Sequence, residues 1–274
     1  MQAALARAGF STGELDGRLG RNAERALTSF QVTHGLRPTG KPDKPTLAAL
    51  AEAAPGEATV AYRIVDADVA GPFIAALPDD MMEKSKLPAL GYTTVLEELA
   101  ERVHAQPALL QRLNPRAAWR AGEDIVVPNV APVEPAGKPA RIVVSKSAST
   151  LRALDAAGKI LFFAPVTAGS EHDPLPLGNW KVRGVARNPT FAYNPDLFWD
   201  AHADHAKAKL AAGPNNPVGV VWIDLDKEHY GLHGTAEPGK VGHAESHGCV
   251  RLTNWDAERV AEMVAPGTPV IFEY

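Results

Sequence analysis

The stretch SHGCVR, residues 246–251, decides how this chain is interpreted, because it places the only cysteine among 274 residues beside a histidine. A cysteine attacks as the thiolate, and an unperturbed thiol with a pKa near ~8.5 is mostly protonated at neutral pH. His247, in the same stretch, and His233, on a preceding predicted strand, are imidazoles that can take this proton. We therefore predict that Cys249 is a nucleophile with a lowered pKa, and not a small apolar core residue.

Three further motifs precede this stretch. His233-Gly234-Thr235 precedes it, and the segments PNNPVG (214–219) and VWI (221–223) lead into that histidine. Together they resemble the signature of bacterial L,D-transpeptidase catalytic domains, which we assign to residues 140–274. The resemblance implies a mainly β catalytic domain with an antiparallel β-sandwich-like fold. Closely spaced short strands without long intervening helices favour the same fold class.

The resemblance also implies an activity. Cys249 is expected to attack the carbonyl between a diamino acid and the terminal D-alanine of a tetrapeptide stem of peptidoglycan. D-alanine then leaves, and the thioester passes the acyl group to a second stem as a 3→3 cross-link, in an acyl transfer that serves cell wall biogenesis and cell shape. An L,D-carboxypeptidase that uses water as acceptor and a wall-binding protein without activity are the alternatives.

The roles within the motif follow from the same resemblance. It places His233 beside the thiol as the base, with His247 as the alternative base or as a group that shapes the oxyanion pocket. The backbone amides of Gly248 and Cys249 are the expected oxyanion donors, because a glycine-containing turn can aim consecutive N–H groups at one point. The carbonyl of Gly234 is expected to hold the tautomer of the His233 ring.

Four further residues are candidates for the site: Ser246 for catalysis, and Arg251, Tyr193 and Trp199 for substrate binding. Arg251 can pair with a substrate carboxylate in a bidentate manner, or it can form an internal salt bridge that orders the loop. Ser246 can bond to an imidazole or cap a turn. Tyr193 and Trp199, in a proline-rich stretch, can line a substrate groove.

A zinc hydrolase is the competing interpretation of the histidines. His233, His243, His247 and Cys249 can be drawn as four zinc ligands. However, the pattern His-Glu-x-x-His is absent, and no second cysteine offers structural-zinc spacing. We therefore expect no metal and no organic cofactor, and we interpret the segment HADH (202–205) as solvent-exposed.

Residues 1–54 predict a small all-α three-helix domain. Apolar residues recur at helical spacing from Ala23 to Phe30, and Asn22 is expected to cap that helix. The segment resembles a three-helix peptidoglycan-binding domain through a set of short motifs: Gly9-Phe10, Leu15-Asp16-Gly17, Phe30-Gln31, His34-Gly35-Leu36 and Thr39-Gly40. On this basis we expect the catalytic domain alone to process small soluble stem peptides, while residues 1–54 tether it to the wall.

Residues 59–130 predict a β-α-α-β order. The branched and aromatic segment 60–65 is typical of a strand, Thr94 with Glu97 forms a capping box, and residues 125–128 form a second strand. This order resembles a lysin motif with an insertion after the first strand. Binding of glycan and a purely structural spacer are the two interpretations.

Composition and the first residues of the chain limit the possible partners and compartments of the protein. Residues 131–139, with three prolines and a glycine, are a linker. A net charge of −4 without any block of like charges gives no case for nucleic acid as partner, and no window of 18 apolar residues predicts a membrane-spanning helix. The first residues lack the apolar core of a secretion signal, so we expect the leader of a periplasmic or other envelope protein to precede them.

Overall fold

The computed structural model describes residues 1–133, 137–244, 246 and 248–274, so part of the predicted linker lies outside the described residues. The N-terminal region forms the predicted three helices, α1 (Gln2–Arg7), α2 (Arg21–Thr33) and α3 (Lys44–Ala53). They pack around a small apolar core that includes Leu5 and Phe30. No helix within the described ranges has the length and apolar content needed to cross a membrane.

The predicted cap of α2 is wrong. The helix begins after Gly20, whose backbone is extended, and Asn22 lies inside the helix. The Asn22 side chain is buried, and its Nδ2 donates to the Val241 carbonyl at 2.9 Å. The amide therefore fixes a loop of the C-terminal domain instead of capping its own helix.

The middle segment has the predicted β-α-α-β order with two short additional helices. Strands β1 (Thr59–Arg63) and β2 (Asp124–Pro128) pair antiparallel. Between them lie α4 (Asp66–Val69), α5 (Met81–Lys84), α6 (Val95–Arg102) and α7 (Pro107–Leu113). Thr94 caps α6, because its Oγ1 accepts from the backbone N–H of Glu97 at 3.0 Å. The identity of this segment as a lysin motif stays a prediction.

The C-terminal domain is mainly β, as predicted. Its strands are β3 (Arg141–Ser145), β4 (Thr150–Leu154), β5 (Ile160–Pro165), β6 (Thr167–Ala168), β7 (Gly178–Arg187), β8 (Phe191–Tyr193), β9 (Ala208–Leu210), β10 (Val221–Leu225), β11 (Gly231–His233), β12 (Val250–Arg251) and β13 (Pro269–Glu273). Helix α8 (Asn254–Met263) starts at Thr253, whose Oγ1 accepts from the Asp256 N–H at 3.2 Å. Short 3-10 turns lie at Pro195–Leu197 and Pro238–Lys240.

The main sheet has nine strands in the order β5-β4-β3-β13-β7-β10-β11-β12-β6. The long strand β7 pairs with both β13 and β10, so it joins two halves of the sheet, and side chains from both halves share one core with α8. The expected antiparallel order is only partly correct. The pairs β3–β13 and β11–β12 are parallel, because longer crossovers separate these strands along the chain.

The N-terminal region joins the outer edge of this sheet. Phe10 forms a parallel bridge with Phe163 of β5, the Ser11 N–H donates to the Phe163 carbonyl at 2.8 Å, and the Phe163 N–H donates to the Gly9 carbonyl at 2.9 Å. The Phe163 ring is buried in the core of the three helices. The helical region and the sheet therefore share apolar core as well as backbone hydrogen bonds, and the edge of β5 is covered.

Candidate active site

The parallel pair β11–β12 positions the predicted catalytic residues. In its register His233 lies opposite Arg251, and Cys249 comes directly before β12. Side chains alternate between the faces of a strand, so Cys249, Arg251 and His233 are placed on one face. A hydrogen bond between the Cys249 thiol and the Gly231 backbone supports this placement, since Gly231 begins the neighbouring strand. The register thus brings the predicted nucleophile, the predicted base and Arg251 to one face of the sheet.

His233 is held as a neutral ring. Its side chain is buried, and it stacks on Trp222 with ring centroids 5.5 Å apart. Its Nδ1 lies 2.6 Å from the Gly234 carbonyl, which is the contact that the sequence predicts. A carbonyl only accepts, so Nδ1 carries the proton and Nε2 is the basic nitrogen. Burial, followed by the charge of Arg251, lowers the pKa of His233 to about 3.

The Cys249 thiol has a different resting state from the one predicted. Burial raises the pKa of Cys249, although the Gly231 N–H and the charge of Arg251 act in the opposite direction. The expectation of a lowered thiol pKa is therefore wrong, because sequence motifs do not report desolvation. The Cys249 Sγ also lies 3.5 Å from the carbonyl of His229. The resting pair is a neutral thiol beside a neutral imidazole.

Ser246 and Gly248 shape the turn before the cysteine. The Ser246 Oγ donates to the Cys249 carbonyl at 2.7 Å and accepts from the Gly169 N–H at 2.7 Å, which matches the turn role. Gly248 has a φ of +95°, and a Cβ there would lie 2.9 Å from Cε1 of Tyr230. Glycine is therefore required, since both the backbone conformation and the Tyr230 ring exclude a larger residue.

Arg251 is a desolvated cation at the site. Burial lowers its pKa, whereas the charges of Glu237 and Cys249 raise it. Its Nε has no hydrogen-bond partner, and within the described ranges the guanidinium forms no ion pair. The internal salt bridge that the sequence left open is thus not formed with any described residue.

Tyr193 does not line an open groove. Its ring is buried in a small core, and its hydroxyl bonds to Nδ1 of His205 at 2.8 Å. His205 is itself bonded through Nε2 to Asp80 at 2.8 Å. The predicted substrate contact of Tyr193 is wrong, because this hydrogen-bonded chain turns the residue inward, and His205 is correspondingly not a solvent-exposed side chain.

Trp199 lies at the surface, as its predicted role requires. Its side chain is 60% exposed, and its ring is 4.6 Å from that of His172. Nearby, His202, Asp204 and His205 bring possible ligand atoms within 4.8 Å of one another. Because both ring nitrogens of His205 already have protein partners, this group is a poor cation site.

His247 lies outside the described residues. Its predicted roles as alternative base, as part of the oxyanion pocket and as a ligand in the zinc interpretation therefore stay predictions.

Asn254, which none of the sequence motifs includes, supports the loop after His233. Its Oδ1 accepts from the N–H groups of Thr235 at 3.0 Å and Val220 at 3.2 Å. A Cβ at Gly219 or at Gly234 would overlap this oxygen, so both glycines make room for it. The only signal in the sequence is a polar residue directly after the cap Thr253, a position where polar residues are common at the start of any helix.

Comparisons with known proteins agree with this architecture. A family model of the L,D-transpeptidase catalytic domain, YkuD, matches residues 139–272, and a model of a peptidoglycan binding domain matches residues 1–50. A Bacillus subtilis protein named as the L,D-transpeptidase YkuD is 30% identical over 177 residues, which cover 64% of this chain and 91% of the relative. An Escherichia coli K12 protein named as the L,D-transpeptidase YbiS is 33% identical over 112 residues, 39% of this chain and 36% of the relative.

A solved L,D-transpeptidase from Mycobacterium smegmatis is more distant. It is 20% identical, with a TM-score of 0.38, over 48% of this chain and 58% of its own length. The mainly β domain, preceded by a peptidoglycan-binding helical region, defines the class as enzymes that modify peptidoglycan. Since one relative is matched at 30% identity over 91% of its length, the chain belongs to the L,D-transpeptidase family.

Proposed function

We propose that this protein is a cysteine-dependent L,D-transpeptidase that forms 3→3 cross-links between peptidoglycan stems. The observation that carries the proposal is the parallel register of β11 and β12, which places Cys249, His233 and Arg251 on one face. The hydrogen bond from His233 to the Gly234 carbonyl supports it, because it leaves Nε2 as the basic nitrogen.

The first half-reaction releases D-alanine. His233 Nε2 takes the thiol proton while the Cys249 sulfur attacks the carbonyl between the diamino acid and D-alanine. The amides of Gly248 and Cys249 are the proposed donors to the oxyanion. The intermediate collapses as the imidazolium returns its proton to the departing amine, which leaves a thioester on Cys249.

The second half-reaction reverses these proton movements. The side-chain amine of a second stem attacks the thioester, and His233 takes a proton from this amine. The carbon–sulfur bond breaks, the sulfur receives the proton from His233, and a new amide joins the stems. Proton and electron pairs balance within Cys249 and His233, so the reaction needs no metal and no organic cofactor.

The pKa shifts of Cys249 and His233 are consistent with a proton transfer that occurs only while the sulfur attacks the substrate. Burial keeps both Cys249 and His233 neutral at rest, and so the thiolate–imidazolium pair forms only as substrate reacts. The buried guanidinium of Arg251 stabilises the thiolate and offers two parallel donors to a carboxylate of the stem. Trp199, exposed at the surface, is the proposed contact for a more distant part of the substrate.

Purified tetrapeptide muropeptides incubated with the full chain test the reaction. Mass spectrometry should detect an acyl-enzyme on Cys249 and a 3→3 cross-linked product, both lost in Cys249→Ala. His233→Ala should lower turnover by roughly 10²–10⁴-fold, the usual contribution of a general acid–base. Tripeptide with D-alanine but no dimer would indicate the carboxypeptidase, and binding without any acyl-enzyme would indicate a wall-binding protein.

We further propose that the protein is exported to the cell envelope, with the periplasm as its compartment, and that it serves wall biogenesis and cell shape. The match of residues 1–50 to a peptidoglycan-binding model supports wall binding by the helical region. The lysin-motif-like segment, residues 59–130, is a second candidate for glycan contact. Sedimentation of the full chain with purified sacculi tests binding, and loss of pelleting on addition of soluble glycan fragments would assign it to glycan.

A further inference from the structure

Helix α6 of the middle segment reaches the support of the active site. The Oε1 of Glu101 accepts from Asn254 Nδ2 at 2.9 Å and from the Tyr92 hydroxyl at 3.3 Å. These residues line a cleft of about 240 Å³ between the middle segment and α8. Asn254 is buried, so the orientation of its amide is set by the few groups that it touches.

The other end of the Asn254 amide holds the backbone around Gly234. Its Oδ1 accepts from the Thr235 N–H, directly after Gly234, and from the Val220 N–H. The Gly234 carbonyl, in turn, lies 2.6 Å from Nδ1 of His233. A continuous series of hydrogen bonds and one backbone segment thus links Glu101 to the histidine.

The carboxylate of Glu101 selects one of the two orientations of the Asn254 amide. An Asn amide has one accepting and one donating end, and a flip would turn the donor toward the N–H groups of Thr235 and Val220. Glu101 presents an acceptor to Nδ2, and the Pro214 carbonyl presents a second one at 3.1 Å. Both therefore stabilise the orientation in which Oδ1 faces the backbone N–H groups.

Burial also raises the pKa of Glu101 to about 7, with bonds from Asn254 and Tyr92 acting against it and the charges of Glu97 and Glu258 adding to it. The acceptor function survives in either protonation state, because a protonated carboxyl keeps a carbonyl oxygen. The orientation of the Asn254 amide therefore depends on the position of the Glu101 acceptor oxygen and not on the charge of the carboxyl group.

We propose that Glu101 is a positioning residue: through Asn254 it holds the Gly234 carbonyl against His233, which makes the middle segment part of the catalytic apparatus. The inference rests on the proposed role of His233 as base. It gives residues 59–130 a function that does not require glycan binding.

Four full-length variants test the proposal: Glu101→Leu, Glu101→Gln, the control Glu98→Gln, and Glu101→Leu combined with His233→Ala. Glu98 lies on the same helix and lines the same cleft, but its carboxylate accepts from Arg102 at 2.8 Å, whereas that of Glu101 accepts from Asn254. Single-turnover acylation by a tetrapeptide muropeptide is measured by mass spectrometry at saturating and at limiting substrate. Glu101 lines an open cleft, so thermal unfolding is expected to show that all four variants fold.

Glu101→Leu should slow acylation about tenfold with KM unchanged, the equivalent of about one hydrogen bond. Glu101→Gln should stay within about twofold of the unmodified protein, because its amide oxygen accepts the same bond, and Glu98→Gln should match it. In the His233→Ala background the Leu substitution should add nothing, since the residue through which it acts is absent.

Three results would overturn the inference: full activity of Glu101→Leu, equal damage by Leu and Gln, or the same tenfold loss without His233. Labelling of the histidine ring nitrogens gives a readout besides activity, and Glu101→Leu should shift the Nδ1 resonance of His233 while Glu98→Gln should not. If the unmodified protein forms no acyl-enzyme, the proposed function itself fails, and the resonance still decides whether Glu101 positions His233.

Discussion

The catalytic domain meets the N-terminal region and the middle segment through contacts of different chemistry. On the N-terminal side the contact is largely apolar, because Phe163 of β5 is buried among the helices and Phe10 extends the sheet. On the middle side the contact has two parts: apolar residues between Leu77 and Leu90 share a small core with Tyr193 and Leu210, whereas Glu101 and Asn254 form a hydrogen bond beside an open cleft. Apolar burial contributes stability in proportion to area, whereas hydrogen bonds contribute little net stability but fix orientation. The comparison indicates that the apolar contact at Phe163 stabilises the domain, whereas the bond between Glu101 and Asn254 orients the loop around Gly234.

Removal of the Phe163 ring should produce the largest loss of stability. Phe163→Ala leaves a cavity between the sheet and the helices, and such substitutions cost about 3–5 kcal/mol. Urea denaturation of the full chain measures this loss, with Val185→Ala, on the exposed face of β7, as a control expected within about 0.5 kcal/mol. If both variants lose equally little free energy of unfolding, the helical region and the sheet do not share a stabilising apolar core.

The same comparison changes the expectation for the isolated catalytic domain. Sequence motifs alone suggest that residues 140–274 act independently on soluble stems. Without residues 1–54, however, Phe163 would be exposed and β5 would lose the bonds from Gly9 and Ser11. We therefore expect the isolated domain to unfold at a markedly lower temperature than the full chain, as checked by calorimetry, and an unchanged melting temperature would restore the independent-domain interpretation.

The contact with the N-terminal region also includes a buried carboxyl group, that of Asp256. Asp256 Oδ2 accepts from the Ser11 hydroxyl at 2.9 Å, and burial raises the pKa of Asp256 to about 7, against roughly 3.9 in an unfolded chain. Between these values the folded protein holds a proton that the unfolded chain has lost, so this group lowers the free energy of unfolding as pH rises from about 4 to about 7.

Asp256→Asn removes that dependence. The melting temperature of the variant minus that of the unmodified protein should increase from pH 4 to pH 7 and level off above. His233 and His104, whose pKa values burial lowers to about 3, give the opposite trend below about pH 6.5 in both proteins and cancel in the difference. A difference that stays flat across this range would mean that Asp256 is ionised in the fold.

The pKa of the Cys249 thiol should depend on residues next to the sulfur, and not on the contacts with the N-terminal region or the middle segment. Iodoacetamide alkylation of Cys249 across pH should give a pKa above the ordinary value, because burial raises it. Arg251→Gln should raise the pKa further, since the guanidinium stabilises the thiolate, whereas Glu98→Gln should leave it unchanged. An unchanged pKa in Arg251→Gln would place the guanidinium away from the sulfur.

The smallest effect is expected at the outer end of the polar contact. Tyr92→Phe removes the 3.3 Å bond to Glu101, which leaves the shorter bond between Glu101 and Asn254 in place. Acylation should fall by no more than about threefold, less than one full neutral hydrogen bond. A loss as large as that of Glu101→Leu would make Tyr92, and not the carboxylate alone, the element that orients Asn254.

Local patterns predicted the elements but not the contacts between distant segments. Helix α2 follows from the helical spacing of apolar residues between Ala23 and Phe30, and the start of α6 follows from the cap Thr94, both of which neighbouring residues encode. The Gly234 contact of His233 followed from the motif. The groove position predicted for Tyr193 is wrong, because the local sequence around an aromatic residue in a proline-rich stretch does not show whether its ring is buried or exposed. The Cys249 pKa and the bond between Glu101 and Asn254 depend on burial and on residues far apart in the chain.

The bond from Asn22 to Val241 has a consequence for how such proteins can be recombined. It runs from helix α2 to the loop between β11 and β12, and Gly242 leaves no room for a Cβ beside Asn22. A chimera that exchanges the helical region for that of a relative would lose this anchor unless both residues move with it. The helical region and the C-terminal domain therefore fit each other at this bond, and an exchange of the helical region alone is expected to leave the loop around Val241 without its anchor.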